Sequence, residues 1–203
     1  AVDGANMVKT TKMIINELKE YSNPHSKIAR LVKDGVYIPI VKGLYETDRS
    51  TPAHYLAASI YAPSYLSFEF ALAYHSLIPE AVYACTSATF EKRKTKKYET
   101  PFGFFIFRDV PSEAYPYGIN VYKEGEYVCQ IASAEKAVCD QLYKMSKISS
   151  QKELERVLFE DLRIDQKEFN KLNHADMIEL SDKYGSVNLE LLGAYLKRRY
   201  KNG

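Results

Sequence analysis

The sequence predicts an α+β protein with a small, degenerate winged-helix head, a mixed α/β body whose sheet is rich in antiparallel strands, and a C-terminal helical segment. Two helical patterns and a hairpin pattern come first along the chain. Aromatic and β-branched residues then cluster between glycine and proline, as they do in strands. Charged helical stretches with short breaks come last. We place the three parts at residues 7–48, 51–147 and 150–203.

The head begins with apolar residues at helical spacing, which predict a first helix over residues 9–21. Ser22 or Asn23 can cap a second helix over residues 24–33, and Pro24 suits its first position. Residues 36–46 alternate around Gly43 as a hairpin does, and Pro39 confines its strand to a sheet edge. A winged helix-turn-helix has three helices before the wing, and the chain between Tyr21 and Pro24 is too short for a third.

The body pattern predicts two apolar helices, over residues 52–61 and 64–77, and then strands at 82–86, 103–108, 119–122 and 127–131. Glu124-Gly125 is predicted to be the turn of the last hairpin. Ser133 opens a helix over residues 134–145 that would cover one face of the sheet. Four further helices are predicted at residues 151–162, 165–173, 174–185 and 188–202.

The composition of the chain limits the classes of protein to which it can belong. With 203 residues, 46% of them hydrophobic and 27% charged, the chain is typical of a globular protein. A net charge of +2 does not by itself indicate nucleic-acid binding, which would have to come from local clusters. Three cysteines without a CxxC pair predict a reduced, cytoplasmic protein. The sequence has neither a signal peptide nor a long apolar run, so we expect no membrane partner.

Motifs for catalysis are absent from the sequence. It contains no GxGxxG, GxxxxGK[ST] or GxSxG pattern, and its four histidines have no metal-ligand spacing. Cys85 lies in an apolar strand pattern, where it would be an inert thiol rather than a nucleophile with His75 as base. We therefore expect no enzyme, no cofactor and no metal. A metal-dependent nuclease is an alternative, in which Asp109 would act with Glu124 or Glu126.

The head offers a first set of cationic residues. Lys27, Arg30 and Lys33 lie three apart along one side of the second predicted helix, and Lys42 lies in the predicted wing. Such residues bind phosphates without reading sequence. The candidates for base contacts, at the start of the same helix, are His25 and Ser26. The alternative is a solvated helix face.

A second, denser basic run precedes the aromatic strand of the body. It consists of Lys92, Arg93, Lys94, Lys96 and Lys97. It could bind a second phosphate or an acidic protein partner, or it could be an exposed turn. Strand periodicity places Phe105 and Phe107 on one face and Phe104 on the other, so we expect most of the rings after this run in the core rather than stacked on bases.

Four ordered stretches carry a family resemblance, namely residues 27–46, 65–89, 100–111 and 131–143. Together they resemble the AbiEi family of antitoxins, from bacterial type IV toxin–antitoxin systems. The resemblance implies a nucleotidyltransferase-type toxin as functional partner, without a stable complex being required. It also implies autorepression by binding of the winged head to operator DNA. A protein-interaction module of a mobile element, without DNA binding, is the third hypothesis.

Overall fold

The computed structural model describes residues 8–200. The head consists of two helices beside a three-stranded antiparallel sheet of order β1-β3-β2. Its elements are β1 Lys9–Thr10, α1 Thr11–Glu17, α2 Pro24–Lys33, β2 Ile38–Val41 and β3 Leu44–Glu46. The boundaries predicted for α2 are confirmed. The hairpin around Gly43, with Pro39 on an edge strand, is confirmed as well.

The first helix is shorter than the predicted 9–21, because its start and end are set by contacts that periodicity does not show. Lys9 and Thr10 pair with β3, and the Thr10 side chain accepts a hydrogen bond from the Met13 N–H at 3.2 Å, which caps α1. The helix ends at Glu17, whose carboxylate pairs with the Lys9 ammonium at 3.0 Å.

The order of these elements adds a strand to the head that the sequence pattern did not predict. Strand β1 precedes α1 and pairs with β3, as the strand after the first helix does in winged heads. Helices α1 and α2 are joined by residues 18–23 and contact each other, so they form a helix-turn-helix-like pair, and no further helix lies between them, as predicted.

The body is built around a six-stranded mixed sheet of order β6-β7-β5-β4-β9-β8. The pairs β4/β9 and β5/β7 are parallel and the other three are antiparallel, so the α+β class is confirmed. Its elements are α3 Ala57–Ile60, β4 Tyr65–Leu66, α4 Phe68–Tyr74, β5 Ala84–Thr89, β6 Lys96–Thr100, β7 Gly103–Asp109, β8 Ile119–Glu124, β9 Tyr127–Ala132 and α5 Ala134–Lys144. A 3₁₀ turn, Ala53–Tyr55, precedes α3.

Three body predictions were wrong in detail. The segment predicted as a helix over 64–77 begins with the central strand β4, and α4 starts only at Phe68. The hydroxyl of Ser67, between the two, donates to Asp140 at 2.6 Å. The run that holds Lys96 is strand β6, paired with β7, rather than a turn. The last hairpin turns one residue later than predicted, because Glu124 still pairs with Tyr127.

The C-terminal segment is helical, as predicted. It contains α6 Gln151–Arg156, a π-helix Val157–Asp161, α7 Gln166–Asn170, α8 His174–Ser181 and α9 Val187–Arg199. Helices α8 and α9 pack against α5. One cluster of buried apolar residues therefore runs from Leu44 of the head hairpin, through the sheet, to Leu196 of α9. A separate small cluster in the head is formed by Ile14, Ile28 and Tyr37.

A buried carboxylate joins the head to the body. Glu46, the last residue of β3, is fully buried and accepts hydrogen bonds from the Thr47 N–H at 2.7 Å and the Asp48 N–H at 3.2 Å. The Tyr127 hydroxyl, on β9 of the body, donates to its other oxygen at 2.5 Å. Burial and this bond raise the pKa of Tyr127 to about 12. The hydrogen bond to this second oxygen thus forms only when head and body are docked.

We expect Tyr127→Phe to lower the free energy of unfolding by about 1–3 kcal/mol, because it removes a donor from a buried carboxylate. Urea unfolding followed by circular dichroism measures this change. Tyr83→Phe is the matched control, since the Tyr83 side chain is 93% exposed, and it should leave the midpoint unchanged. Equal midpoints for both variants would contradict the role of the Tyr127 hydroxyl.

Candidate nucleic-acid interface

Helix α2 is the second helix of the helix-turn-helix and presents most of its surface to solvent. Only Ile28 of this helix is buried, in the small cluster of the head. Leu31 and Val32 pack against that cluster, whereas His25, Ser26, Ala29, Arg30 and Lys33 are exposed. In a helix-turn-helix, this second helix is the one that enters the major groove of DNA.

The cations of α2 have no acidic neighbours on the helix. From Pro24 to Lys33 the helix contains no aspartate or glutamate. Arg30 and Lys33 are exposed, and Lys27 is half-buried with its ammonium 5.0 Å from the centre of the Tyr21 ring. Within residues 8–200 none of these three cations forms an ion pair. Among the described residues, no acidic side chain therefore neutralises their charge by an ion pair.

The start of α2 leaves its polar side chains available. Asn23 caps the helix, because its Oδ1 accepts a hydrogen bond from the Ser26 N–H at 3.1 Å. The cap uses the Ser26 backbone and not its hydroxyl. Both predicted base-contact residues, His25 and Ser26, are exposed. They lie where helix-turn-helix proteins contact base edges.

The wing is very short. Lys42 and Gly43 form a tight turn between β2 and β3, and the φ of +80° at Gly43 suits glycine. The Thr11 N–H donates to the Gly43 carbonyl at 3.0 Å, so the tip of the turn rests on the start of α1. Lys42 is exposed there. It is the one lysine of this turn, and it lies beside the helix-turn-helix rather than on an extended arm.

The second basic run is only partly free. Lys92 is held by the body, because its ammonium donates to the Ala62 carbonyl at 3.2 Å and lies 5.0 Å from the centre of the Tyr61 ring. The Arg93 N–H donates to Asp109, but its side chain is exposed. Lys94 and Lys97 are also exposed and Lys96 is half-buried.

The two cationic sets lie on adjoining elements. Strand β6, which carries Lys96 and Lys97, is an edge strand of the body sheet, and β2 of the head packs against it. Lys42 follows β2 directly. Lysines on edge strands also prevent unwanted strand pairing, which gives Lys96 and Lys97 a structural reason to be there.

The residues of the two enzymatic alternatives have other partners. The Asp109 carboxylate accepts hydrogen bonds from the Thr89 hydroxyl and the Arg93 N–H, each at 2.6 Å. Burial raises the pKa of the Cys85 thiol to about 12, which disfavours the reactive thiolate. Nε2 of His75 lies 2.7 Å from the Ala132 carbonyl. Within residues 8–200 there is no group of three or more metal-binding side chains.

The sequence did not predict that Tyr21 belongs to the cationic surface around α2. Its helical spacing predicted an inward position on the first helix, but it lies after α1, half exposed beneath Lys27. The contact joins two residues across the turn of the helix-turn-helix. No periodic signal spans such a turn.

Fold and surface together define a protein with a winged-helix-like head joined to a mixed α/β body, and the head bears a helix whose cations form no ion pair within the described part of the chain. No protein-family model matches the chain, and a search of curated proteins found no match. Within residues 8–200, no helix combines the length and apolarity needed to cross a membrane.

Proposed function

We propose that this protein is an antitoxin and DNA-binding autorepressor of a type IV toxin–antitoxin operon, acting in the cytoplasm against a nucleotidyltransferase-type toxin. The observation that carries the DNA-binding half is α2, the second helix of a helix-turn-helix-like pair, on which Arg30 and Lys33 are exposed and form no ion pair with any residue from 8 to 200. The antitoxin half rests on the resemblance to the AbiEi family.

The chemistry of the surface supports two kinds of DNA contact. His25 and Ser26 at the start of α2 would face base edges and provide sequence preference. Lys27, Arg30, Lys33 and Lys42 would contact phosphates on either side, release counterions and fix the orientation of the head. Lys94 and the β6 residue Lys97, both exposed, extend the same charge along the body.

We expect the protein to bind the DNA just upstream of its own reading frame more tightly than unrelated DNA of equal length. The double variant Arg30→Ala, Lys33→Ala should bind at least about tenfold more weakly, because phosphate contacts dominate affinity. Its plot of log affinity against log salt should be shallower by about one for each phosphate that the variant no longer neutralises. Fluorescence anisotropy across a salt series measures both quantities.

The matched control is Lys147→Ala with Lys167→Ala, which removes the same charge from exposed positions of the C-terminal half. It should keep affinity and salt slope close to wild type. A loss of binding that is equal in both double variants would indicate a nonspecific charge effect. No binding at low salt would overturn the DNA role and favour the interaction module.

A second readout separates the two halves of the proposal. Growth of cells that express the neighbouring toxin should be restored by the wild-type protein and by the Arg30, Lys33 double variant alike, because the body is unchanged. Repression of a reporter behind the upstream DNA should be lost only in the double variant. Failure of the wild-type protein to restore growth would overturn the antitoxin half alone.

A further inference from the structure

The edge strands of the two sheets differ in how they are protected from pairing with other strands. Strand β1 has two residues, which is too short to template a partner. Strand β2 contains Pro39 and a register shift between Pro39 and Val41. Strand β6 carries Lys96 and Lys97 and has β2 packed against it. Short length, proline, irregularity and lysine are the usual means by which proteins block an edge.

Strand β8 is an edge strand with few of these protections. It has six residues and pairs with β9 in one unbroken register, from Ile119 opposite Ala132 to Glu124 opposite Tyr127. It contains no proline and no bulge, and a single lysine, Lys123. In residues 8–200, β9 is the only strand that pairs with it. Its outer side therefore presents unpaired backbone N–H and C=O groups.

Exposed apolar side chains accompany this edge. Val121 of β8 is 63% exposed, and Val128 of the neighbouring β9 is 55% exposed. The register places Lys123 opposite Val128 and Gln130 opposite Val121, so both valines lie on one face of the hairpin. Exposed β-branched residues beside a regular, open edge are typical of a strand that gains a partner.

We propose that β8 pairs antiparallel with β8 of a second copy of this chain, about a twofold axis that passes through Val121. This pairing continues the two six-stranded sheets as one sheet of twelve strands. It is independent of the proposed DNA binding, because β8 lies at the opposite edge of the body sheet from the cationic strand β6 and uses none of the proposed DNA-binding residues.

Charge complementarity favours a second copy as the occupant. In this register Val121 faces its own symmetry mate, Ile119 faces Lys123, and Asn120 faces Tyr122. The charged residues of β8 are one lysine and one glutamate, Lys123 and Glu124. No like charges therefore stand opposite each other, and the strand has no net charge that would repel its copy. A twofold axis also makes the interface self-complementary, as in most homodimers.

Sedimentation equilibrium of the full chain tests the proposal. The wild-type protein is expected to be a dimer in reversible exchange with monomer. Val121→Lys places two ammonium groups opposite each other and should raise the dimer dissociation constant at least about tenfold. Val128→Lys is the matched control, because it adds the same charge to an exposed valine on the same face but on the paired strand β9. It should change the constant far less.

Oxidative crosslinking gives an independent test of the register. Val121→Cys should form a disulfide-linked dimer, whereas Val128→Cys should not, since only position 121 meets its own copy. The native thiols Cys85, Cys129 and Cys139 are buried and contribute little background. A wild-type protein that stays monomeric at the highest concentration reached would overturn the proposal. Two other results would also overturn it. One is a dimer that Val121→Lys leaves intact, and the other is a complex in which a strand of another protein pairs with β8.

Discussion

Replacing Asp140 by alanine is expected to lower the free energy of unfolding by about 3–5 kcal/mol, because it leaves a buried ammonium without its counter-charge. Asp140 and Lys136 lie one turn apart on α5, and both side chains are fully buried. The Lys136 ammonium is 3.6 Å from the Asp140 carboxylate and donates a hydrogen bond to the Ala114 carbonyl. Burial lowers the pKa of Lys136, and Asp140 opposes that shift.

Asp140 also holds three hydroxyl groups from other parts of the fold. It accepts hydrogen bonds from Tyr65 at 2.8 Å, from Ser67 at 2.6 Å and from Tyr184. Strand β4, helix α5 and the end of the α8 segment therefore meet at this carboxylate. Removing it leaves several buried donors unsatisfied at once, which explains the size of the expected effect.

Urea unfolding measures the cost of Asp140→Ala. Glu179→Ala on α8, where the side chain is exposed, is the control and should change stability by less than about 0.5 kcal/mol. The double change Lys136→Met, Asp140→Leu removes both charges and should recover part of the loss. A cost below about 1 kcal/mol for Asp140→Ala would contradict an obligatory ion pair.

Stability is expected to fall steeply above about pH 10, because several tyrosines have a higher pKa in the folded state than in the unfolded chain. Burial, followed by the charge of Asp140, raises the pKa of Tyr65 and Tyr184 well above the ordinary value. Burial raises the pKa of Tyr195 to about 12. Because the folded pKa values are the higher ones, the unfolded chain releases these protons first.

Because the unfolded chain releases these protons at lower pH than the folded protein, the free energy of unfolding falls as pH rises. The contribution of each tyrosine is fully present below about pH 10 and is lost as pH rises toward the folded pKa, by about 1.4 kcal/mol per pH unit. Lys136, whose folded pKa is lowered, acts in the opposite direction, and its effect is complete by about pH 10.5. The stability lost through three tyrosines exceeds the stability gained through one lysine, so we expect high pH to unfold the protein.

Absorbance at about 295 nm follows this process without interference, because the chain has 17 tyrosines and no tryptophan. After a jump to about pH 11, exposed tyrosines should ionise at once. Tyr65, Tyr184 and Tyr195 should ionise only as circular dichroism shows the fold being lost. Reversible titration of all 17 tyrosines with the fold intact would contradict the prediction.

Local sequence signals predicted both the first and the last residue of α2 correctly. Asn23 and Pro24 mark its start and Asp34-Gly35 its end, and all of them act within one turn of the helix they delimit. Its exposed cations followed from the same periodicity. Sequence reasoning could not predict that Lys92 is anchored, because the Ala62 carbonyl that holds it lies 30 positions away.

Strands β4 and β6 were missed for a related reason. Tyr65 and Leu66 form a strand because β5 and β9 flank them, and nothing in an apolar pair distinguishes a strand from a helix. Lys96 and Lys97 have low strand propensity, and their pairing with β7 overrides it. In both cases long-range backbone pairing decided the structure.

The tight turn at Lys42 and Gly43, held against the start of α1, has a consequence for how much DNA the head could cover. A hairpin of this length has no tip that reaches into an adjacent minor groove. Chemical footprints of a complex formed through α2 would then be confined to one major-groove face and its flanking sugars. Methylation of adenine at N3, on the minor-groove side, would proceed as in free DNA.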